Sequence, residues 1–205
     1  MILFLLSLAC NQPESTEVPV LDIQTQKRSN DSTLQVPKKT TEEPPVETNS
    51  TRTTPFISEV MIMPTKVEKF RGEWVELYNP TETPIDLSEY SLHSKDDIGF
   101  TFEKGSTIPP QSTFLLAVRK SATGNGGLPT VDFVYNHNVL KILGTDWLEI
   151  KKGESVIDRW EFAREDFNKG ISLQRDAKGT TCPATTSYGE GDIGSPGLFT
   201  KCIAK

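Results

Sequence analysis

The side chains best able to ligate a metal, or to act as nucleophile and base, are three cysteines and two histidines in this chain of 205 residues. Cys10 lies near the start, Cys182 and Cys202 lie near the end, and the histidines are His93 and His137. Their spacing does not match a zinc site, whose ligands come in closely spaced pairs. Two histidines also leave little basis for a histidine-dependent mechanism. We therefore expect no metal, no cofactor and no catalytic residue.

Motifs of known catalytic loops are absent from the sequence, which lacks G-x-S-x-G, H-E-x-x-H and a phosphate-binding loop. Residues 124–127 are rich in glycine, but no helical pattern follows them, so we interpret them as a flexible loop. Neighbouring carboxylates occur at three places: Asp96 with Asp97, Glu165 with Asp166, and Glu190 with Asp192. None has the spacing of a calcium loop, which favours solvated surface charge.

The charge balance argues against a nucleic-acid-binding surface. The chain has 22 Lys and Arg against 28 Asp and Glu, a net charge of −6, and no run of four or more basic residues. Because phosphate binding needs a clustered basic face, we expect no nucleic-acid partner.

The chain begins with a nearly uninterrupted apolar run, MILFLLSLA, at residues 1–9. This run is too short for a membrane-spanning helix, which needs about 20 residues, and its length is typical of the apolar core of a signal peptide. Cys10 follows directly, and Ser7-Leu8-Ala9 before it resembles the lipobox of bacterial lipoproteins, in which the cysteine is lipidated. Ser7 stands where that family usually has Leu, and no basic residue precedes the run. A generic signal peptide cleaved near Ala9, an incorrectly assigned start and a cytosolic chain remain alternatives.

The lipoprotein resemblance implies an exported protein that is anchored in the cell envelope by acyl chains on Cys10. Several chains on one residue hold firmly, since each buried CH₂ contributes about 0.8 kcal/mol. Asn11 stands where an Asp often signals retention in the inner membrane, so the resemblance favours the outer membrane. The expected partner at this end of the chain is the membrane itself.

Residues 10–54 are predicted to form a lipidated N-terminus followed by a disordered linker rich in Thr, Ser and Pro. No aromatic residue occurs between Phe4 and Phe56. Such a stretch buries too little apolar surface to offset the entropy that ordering would cost. The sequence therefore predicts a signal peptide at residues 1–9, this linker, and one folded domain at residues 55–205.

Short apolar runs alternate with turn residues from residue 55 onwards. The predicted strands are residues 56–63, 73–78, 85–87, 90–93, 99–103, 113–119, 132–135, 147–151, 156–162 and 171–174. Residues 152–153 are predicted as a hairpin turn, and residues 108–110 as a further turn. Regular short strands with turns between them favour an all-β sandwich or barrel.

Several of these stretches, in this order, resemble the lamin tail domain, an immunoglobulin-like β-sandwich found in nuclear lamins and in many bacterial exported proteins. They are residues 57–60 (ISEV), 73–79 (EWVELYN), 85–88 with 90–92 (IDLS, YSL), and 171–175 with 194–197 (ISLQR, GSPG). The resemblance implies an immunoglobulin-like β-sandwich preceded by a stalk. It implies no particular function, because sandwiches of this kind host many roles.

The residues that carry this resemblance are interpreted as structural. An Asn at the end of a strand bonds nearby backbone groups, and a Pro-Gly pair sets a turn that other residues would strain. This interpretation covers Glu73, Trp74, Glu76, Leu77, Asn79, Leu173, Arg175, Pro196 and Gly197.

Cys182 and Cys202 are the cysteines that remain after Cys10. An exported chain in an oxidising compartment is expected to pair them in a disulfide, which would tie the region of Cys182 to the C-terminus. Two free thiols are the alternative. The last four residues, 202–205, have the shape of a prenylation box, but Lys is not a usual final residue of that motif.

We therefore predict a lipid-anchored cell-envelope module that binds an unidentified protein or glycan and does not catalyse a reaction. Tyr135, His137 and Trp160 could line its binding face, although such residues more often fill the core or edge of a sandwich. An accessory domain that works with a separate envelope enzyme, such as a nuclease or phosphatase, is one alternative, since the family often accompanies such enzymes. A hydrolase in its own right is another.

Overall fold

The computed structural model of the chain describes residues 52–95 and 97–202. The predicted signal peptide at residues 1–9, the lipidation site Cys10 and the linker up to residue 51 lie outside the described residues, as does Asp96. Within the described part of the chain, no helix is long and apolar enough to cross a membrane.

The described residues form fourteen short strands, one four-residue α-helix and two short 3₁₀ helices. The strands are β1 (Phe56–Met61), β2 (Trp74–Tyr78), β3 (Ile85–Asp86), β4 (Tyr90–Ser94), β5 (Phe100–Thr101), β6 (Thr107–Ile108), β7 (Thr113–Ala117), β8 (Phe133–Val134), β9 (Asp146–Lys152), β10 (Ser155–Phe162), β11 (Leu173–Arg175), β12 (Thr181–Pro183), β13 (Ser187–Tyr188) and β14 (Asp192–Ile193). The α-helix α1 is Lys69–Gly72, and the 3₁₀ helices are Ala122–Gly124 and Arg164–Asp166.

Ten of these strands form two sheets whose apolar faces pack against each other. The six-stranded sheet has the order β12-β11-β1-β2-β7-β8, and the four-stranded sheet has the order β10-β9-β4-β5. Strands β3 and β6 pair as one two-stranded ribbon, and β13 and β14 as another. The predicted all-β immunoglobulin-like sandwich is confirmed.

The core between the sheets follows the two-residue period of the strands. On β2, Val75 and Leu77 are fully buried in the main core, whereas Trp74 belongs to a second apolar cluster on the opposite face. Leu92 on β4 and Leu148 on β9 face Val75 and Leu77 from the other sheet. Full burial of each such side chain contributes about 1.5–3 kcal/mol.

The predicted strands are present with corrected ends and additions. Strand β1 ends at Met61 rather than at residue 63, and Ile108, predicted in a turn, lies in β6. The turn between β9 and β10 consists of Gly153 and Glu154 rather than residues 152–153, because Gly153 adopts the positive φ of +55° that the tight hairpin needs. Strands β12, β13 and β14 are missing from the prediction, since they are two or three residues long and carry little apolar pattern.

A buried ion pair joins the two sheets. Arg175 on β11 pairs with Asp158 on β10, and both side chains are almost completely buried. The Arg175 guanidinium also donates to the carbonyl oxygens of Ile57, at 2.9 and 3.0 Å, and of Arg159, at 3.1 Å. Its flat face lies 4.9 Å from the centre of the Trp160 ring. Arg175 is therefore fully engaged by protein groups from both sheets.

Arg52 adds a second cation to the same carboxylate. Its Nη1 lies 2.9 Å from Asp158 Oδ1, its Nε donates to the carbonyl oxygen of Ala177, and its guanidinium lies 4.7 Å from the Phe56 ring. The prediction places Arg52 in the linker. In the structure the contacts of the folded domain extend to this residue.

The outer face of the six-stranded sheet is buried beneath the segment between β7 and β8 and the C-terminal part of the chain. Its apolar residues form the second cluster, which contains Met61, Trp74, Leu115, Ala117, Leu128 and Val131. Tyr188 packs edge-on against Trp74 and accepts a hydrogen bond of 3.0 Å from the indole nitrogen. The predicted disulfide between Cys182 and Cys202 is present and joins β12 to the end of the described chain.

Two neighbouring carboxylates, Glu59 on β1 and Glu76 on β2, bind the closing turn of the chain on this covered face. They are opposite each other in the β1–β2 pairing, and both are buried. Glu59 accepts hydrogen bonds from the backbone N–H of Ser195 at 2.8 Å and from its hydroxyl at 2.5 Å. Glu76 Oε2 accepts one from the backbone N–H of Gly197 at 2.7 Å. The turn itself has Pro196 before Gly197, whose φ is +85°, as a type II turn requires.

The two carboxyl groups of this pair differ in their hydrogen-bond partners and in their pKa. Glu59 accepts further hydrogen bonds from the Ser172 hydroxyl and the Gln174 amide, so it has four donors for its charge. Burial, and then the charge of Glu59, raise the pKa of Glu76 to about 8. When protonated, Glu76 can donate to the Ser58 hydroxyl oxygen, 2.8 Å away, while that hydroxyl donates to the Glu76 carbonyl oxygen at 3.3 Å. Burial raises the pKa of Glu59 as well, but its four hydrogen bonds oppose that rise. Near neutral pH, Glu76 therefore holds a proton.

Replacing Asp158 by Asn is expected to destabilise the domain by about 3 kcal/mol, because Arg175 would remain buried without its counter-charge. The free energy of unfolding, measured by urea denaturation of the full chain, tests this. Glu165→Gln at an exposed position is the control and should change the value by less than about 0.5 kcal/mol. An equally small change in the free energy of unfolding of Asp158→Asn would contradict a large contribution of the ion pair to stability.

Glu76→Gln is expected to remove a pH dependence of stability. The folded protein retains a proton on Glu76 that the unfolded chain releases above its ordinary pKa of 4.5, so this residue lowers the free energy of unfolding as pH rises from about 4.5 to about 8. Glutamine resembles the protonated acid and does not titrate, so Glu76→Gln should not lose stability in this way. At pH 8 its free energy of unfolding is expected to have fallen less than that of the wild type, by on the order of 3 kcal/mol. Urea titrations of both proteins between pH 5 and about 9 measure the difference. Parallel pH curves for the two proteins would contradict it.

Candidate binding face

The outer face of the four-stranded sheet is the open broad face of the sandwich in the described part of the chain. The alternation of the strands points one set of side chains into the core and the next set outward. On β9, Leu148 and Ile150 are buried in the core, so Trp147, Glu149 and Lys151 point outward. Other outward-facing residues are Ser91 and His93 on β4, Thr101 on β5, and Val156, Arg159 and Glu161 on β10.

A ladder of paired charges runs across this face. Arg159 Nη1 lies 2.6 Å from Glu149 Oε1, and Arg159 Nη2 lies 2.7 Å from Glu161 Oε1. Lys151 Nζ lies 3.5 Å from Glu149 Oε2. Hydrogen bonding to Glu149, followed by that to Glu161, raises the pKa of Arg159. The guanidinium also lies 4.3 Å from the Trp147 ring, so its position is set from three sides.

A shallow groove of about 540 Å³ continues from this ladder to the adjoining loops. It is lined by Lys95, Thr145, Asp146, Trp147, Arg159, Glu161, Phe162, Ala163 and Asp166. Carboxylates, a guanidinium, an ammonium and an indole ring therefore face one open space.

Asp146 fixes the rim of the groove. Its carboxylate accepts hydrogen bonds from the backbone N–H groups of Lys95 at 3.0 Å, Leu143 at 3.0 Å and Trp147 at 2.7 Å. These bonds hold together the residue after β4, the loop before β9 and the start of β9. The rim is consequently shaped before any ligand arrives, which lowers the entropy that binding would cost.

The same face carries one serine–histidine contact, in which Ser91 Oγ lies 2.8 Å from His93 Nε2. A nucleophile–base pair of this kind needs a third group that orients the base. Glu149 lies opposite His93 in the β4–β9 pairing, but its carboxylate pairs with Arg159 and Lys151. Within residues 52–95 and 97–202, no carboxylate forms a hydrogen bond or ion pair with His93. The contact is therefore a surface hydrogen bond and does not complete a catalytic triad.

Residues of the family motif lie apart from this face. Leu77 and Leu173 are in the main core, and Trp74 is in the second cluster. The Glu76 carboxylate binds the turn that contains Pro196 and Gly197. Arg175 joins the two sheets. Asn79 fastens two loops, because its amide donates to the carbonyl oxygens of Thr83, Ile108 and Pro109. Its Oδ1 accepts from the backbone N–H and the hydroxyl of Thr81.

The structure pairs His137 with Glu73 and places Tyr135 and Trp160 in the main core. Glu73 Oε2 lies 3.6 Å from His137 Nδ1, and burial raises the pKa of Glu73 to about 7. Burial, followed by the charge of Glu73, raises the pKa of Tyr135. Trp160 is buried in the main core beside Arg175.

The carboxylates that the sequence assigns to the solvated surface divide into two groups. Asp166 lines the groove and Glu165 is exposed. The assignment is wrong for Asp192, which is buried because it accepts hydrogen bonds from the backbone N–H and hydroxyl of Thr65. Among the described residues there is no group of three or more His, Cys, Asp and Glu side chains that could hold a metal ion.

The residues of the binding face are absent from the sequence predictions, although a signal for them exists. The two strands that carry them are predicted nearly correctly at residues 147–151 and 156–162. Because alternate side chains of a strand face opposite sides of the sheet, every second residue of the predicted strand 147–151 gives the outward-facing set Trp147, Glu149 and Lys151. The pairing partner Arg159 cannot be found in this way, because the register of the hairpin depends on the turn at Gly153.

Comparison with protein families gives a match to a model described as Lamin Tail Domain, over residues 48–181. The match spans more than half of the chain and ends before the closing turn at residues 194–197. Comparison with curated proteins gives no match.

Proposed function

The chain belongs to the lamin tail domain family, and from that premise we propose that it is a lipid-anchored binding module of a bacterial cell envelope. Domains of this family have an immunoglobulin-like fold, often serve as binding or structural modules and are generally not catalytic. The anchor is the acylated Cys10, and the linker that follows it holds the sandwich away from the membrane, with the outer membrane favoured over the inner.

The ordered charge ladder on the open sheet is the observation that carries the binding role. One broad face of the sandwich is covered by the chain itself, whereas this face presents Trp147 and Arg159 to solvent in fixed positions. Tryptophan and arginine are the side chains that most often dominate the energy of protein interfaces. Alternating charges around them select a partner with the complementary pattern.

A protein is therefore the favoured ligand over a glycan. The groove contains a single tryptophan, and one ring face of it is occupied by Arg159, which leaves less aromatic surface for stacking a sugar ring. A protein partner also accommodates the role of an accessory domain, in which the bound protein is a separate envelope enzyme such as a nuclease or phosphatase.

Labelling cells with a palmitate analogue tests the anchor. The wild-type chain is expected to incorporate the label and to sediment with the envelope fraction. Cys10→Ala should lose both properties, since Cys182 and Cys202 are joined in a disulfide and offer no free thiol. Label that persists in Cys10→Ala, or none in the wild type, would exclude the anchor.

A pull-down from the native envelope with the full chain as bait tests the binding face. Trp147→Ala and Arg159→Ala are each expected to weaken capture of the partner at least tenfold, as expected for central interface residues. Arg119→Ala, at an exposed position that follows β7, is the matched control and should bind like the wild type. Equal capture of the partner by all three variants would contradict binding at this face. Recovery of an enzyme with the bait would support the role of an accessory domain.

A further inference from the structure

Residues 184–201 lie over the outer face of the six-stranded sheet, and we refer to them as the cover segment. They include β13, β14 and the closing turn. The disulfide encloses the segment, because Cys182 and Cys202 are 20 residues apart and lie on either side of it. The match to the family model ends at residue 181 and does not extend to the cover segment. One covalent bond thus joins the two ends of this segment.

The main core of the sandwich does not include the cover segment. In the part of the chain that the structure describes, every buried residue of the main core lies between Ile57 and Leu173. The cover segment contributes the Tyr188 ring to the second cluster, and Phe199 stacks on Tyr78 with 3.9 Å between ring centres. Because apolar burial is the main driving force for folding, the two sheets have a core of their own. The cover segment can therefore leave the sheet while the sandwich stays folded.

Hydrogen bonds make several of the contacts that hold the cover segment on the sheet. The backbone N–H groups of Ser195 and Gly197 donate to the buried carboxylate pair, at 2.8 and 2.7 Å. Asp192 accepts hydrogen bonds from the backbone N–H of Thr65 at 3.0 and 3.2 Å. Each such bond stabilises the closed position only modestly, because the same groups bond to water when the segment lifts. These contacts fix where the segment lies, but they do not by themselves prevent it from opening.

The disulfide lies beside Gln174, which connects the cover segment to the sheet. Cys182 Sγ lies 3.8 Å from Gln174 Oε1, and Cys202 Sγ lies 3.7 Å from the Gln174 carbonyl oxygen. Gln174 Nε2 donates to Ser195 Oγ at 2.7 Å and to Glu59 Oε2 at 3.3 Å. Both cysteines are partly exposed, and β12 is an edge strand of the sheet, so a thiol in solution can reach the disulfide.

We propose that the Cys182–Cys202 disulfide is a redox-sensitive switch that keeps the cover segment closed, and that its reduction opens this segment while the sandwich remains folded. Opening uncovers Trp74 and gives water access to the carboxylate pair. This proposal concerns the face opposite the binding face, and it goes beyond the proposed function.

The reductant is an external dithiol, for which dithiothreitol is the probe. One of its thiolates attacks a sulfur of the disulfide, so that the Cys182–Cys202 bond breaks and a mixed disulfide forms. The second thiol of the reductant then displaces the cysteine. The dithiol is oxidised to a disulfide by two electrons, and its two protons leave both cysteines as thiols.

The size of the effect follows from loop entropy. In the chain-entropy model, a cross-link that closes a loop of this length restricts the opened segment by about 3 kcal/mol. Removing the cross-link should therefore raise the opened fraction of the cover segment roughly 100-fold.

Hydrogen exchange of backbone amides in the full chain tests this. Cys10→Ala is the reference protein, so that Cys182 and Cys202 are its only cysteines, and it is compared with the same chain carrying Cys182→Ser and Cys202→Ser. Amides of residues 186–198 are expected to exchange roughly 100-fold faster in the serine variant. Amides of β9 and β10 should keep their protection. Dithiothreitol should convert the reference protein to the behaviour of the serine variant, and reoxidation should reverse the change.

The serine variant treated with dithiothreitol is the matched control, and its exchange should not change. Unchanged protection of residues 186–198 in the serine variant would overturn the proposal, since the cover segment would then stay closed without the disulfide. Loss of protection in β9 and β10 as well would also overturn it, because the disulfide would then stabilise the whole domain rather than one segment. A disulfide that dithiothreitol does not reduce in the folded reference protein would overturn the redox sensitivity. None of these outcomes depends on the binding face or the lipid anchor.

Discussion

Two carboxylates buried side by side in a sheet are the constraint around which this domain is organised. Glu59 and Glu76 occupy opposed positions on β1 and β2, where both could not be charged without strong repulsion. The fold resolves this by giving Glu59 four donors and leaving a proton on Glu76. All four donors on Glu59, and the backbone N–H that binds Glu76, come from residues 172–197. The middle of the sheet is therefore complete only when the end of the chain lies on it.

This constraint joins distant parts of the sequence. The EWVELYN stretch contains Glu76, and the GSPG stretch contains Ser195 and Gly197, which bind the carboxylate pair. The Pro-Gly turn presents its N–H groups toward the sheet because Gly197 tolerates a positive φ. Glu76 and Gly197, which are predicted from the sequence to be structural, thus contact each other across 121 residues of the chain.

The fold class could be predicted because its signals are local. Alternating apolar residues, turn residues between them and the order of the motif stretches are enough to indicate an immunoglobulin-like sandwich. The functional surfaces depend on register and on long-range contacts, which single residues do not reveal. Arg159 meets Glu149 only through the hairpin register, and Glu73 meets His137 across 64 positions of sequence between two loops. Glu73 differs from its motif neighbours Trp74 and Glu76, because its buried carboxylate is paired with the side chains of Lys69 and His137.

Closure by the C-terminal segment has a kinetic consequence. Strand β1, near the start of the domain, pairs with β11 more than 100 residues later, and Ser195 binds Glu59 across 136 residues. Contacts of such high order form slowly, because the loop entropy is lost before the contacts form. A nascent chain that has not yet delivered residues 172–202 lacks the donors for its buried carboxylates and the cover for Trp74. The buried carboxylate pair and the second apolar cluster are therefore completed only when the last residues of the domain are available.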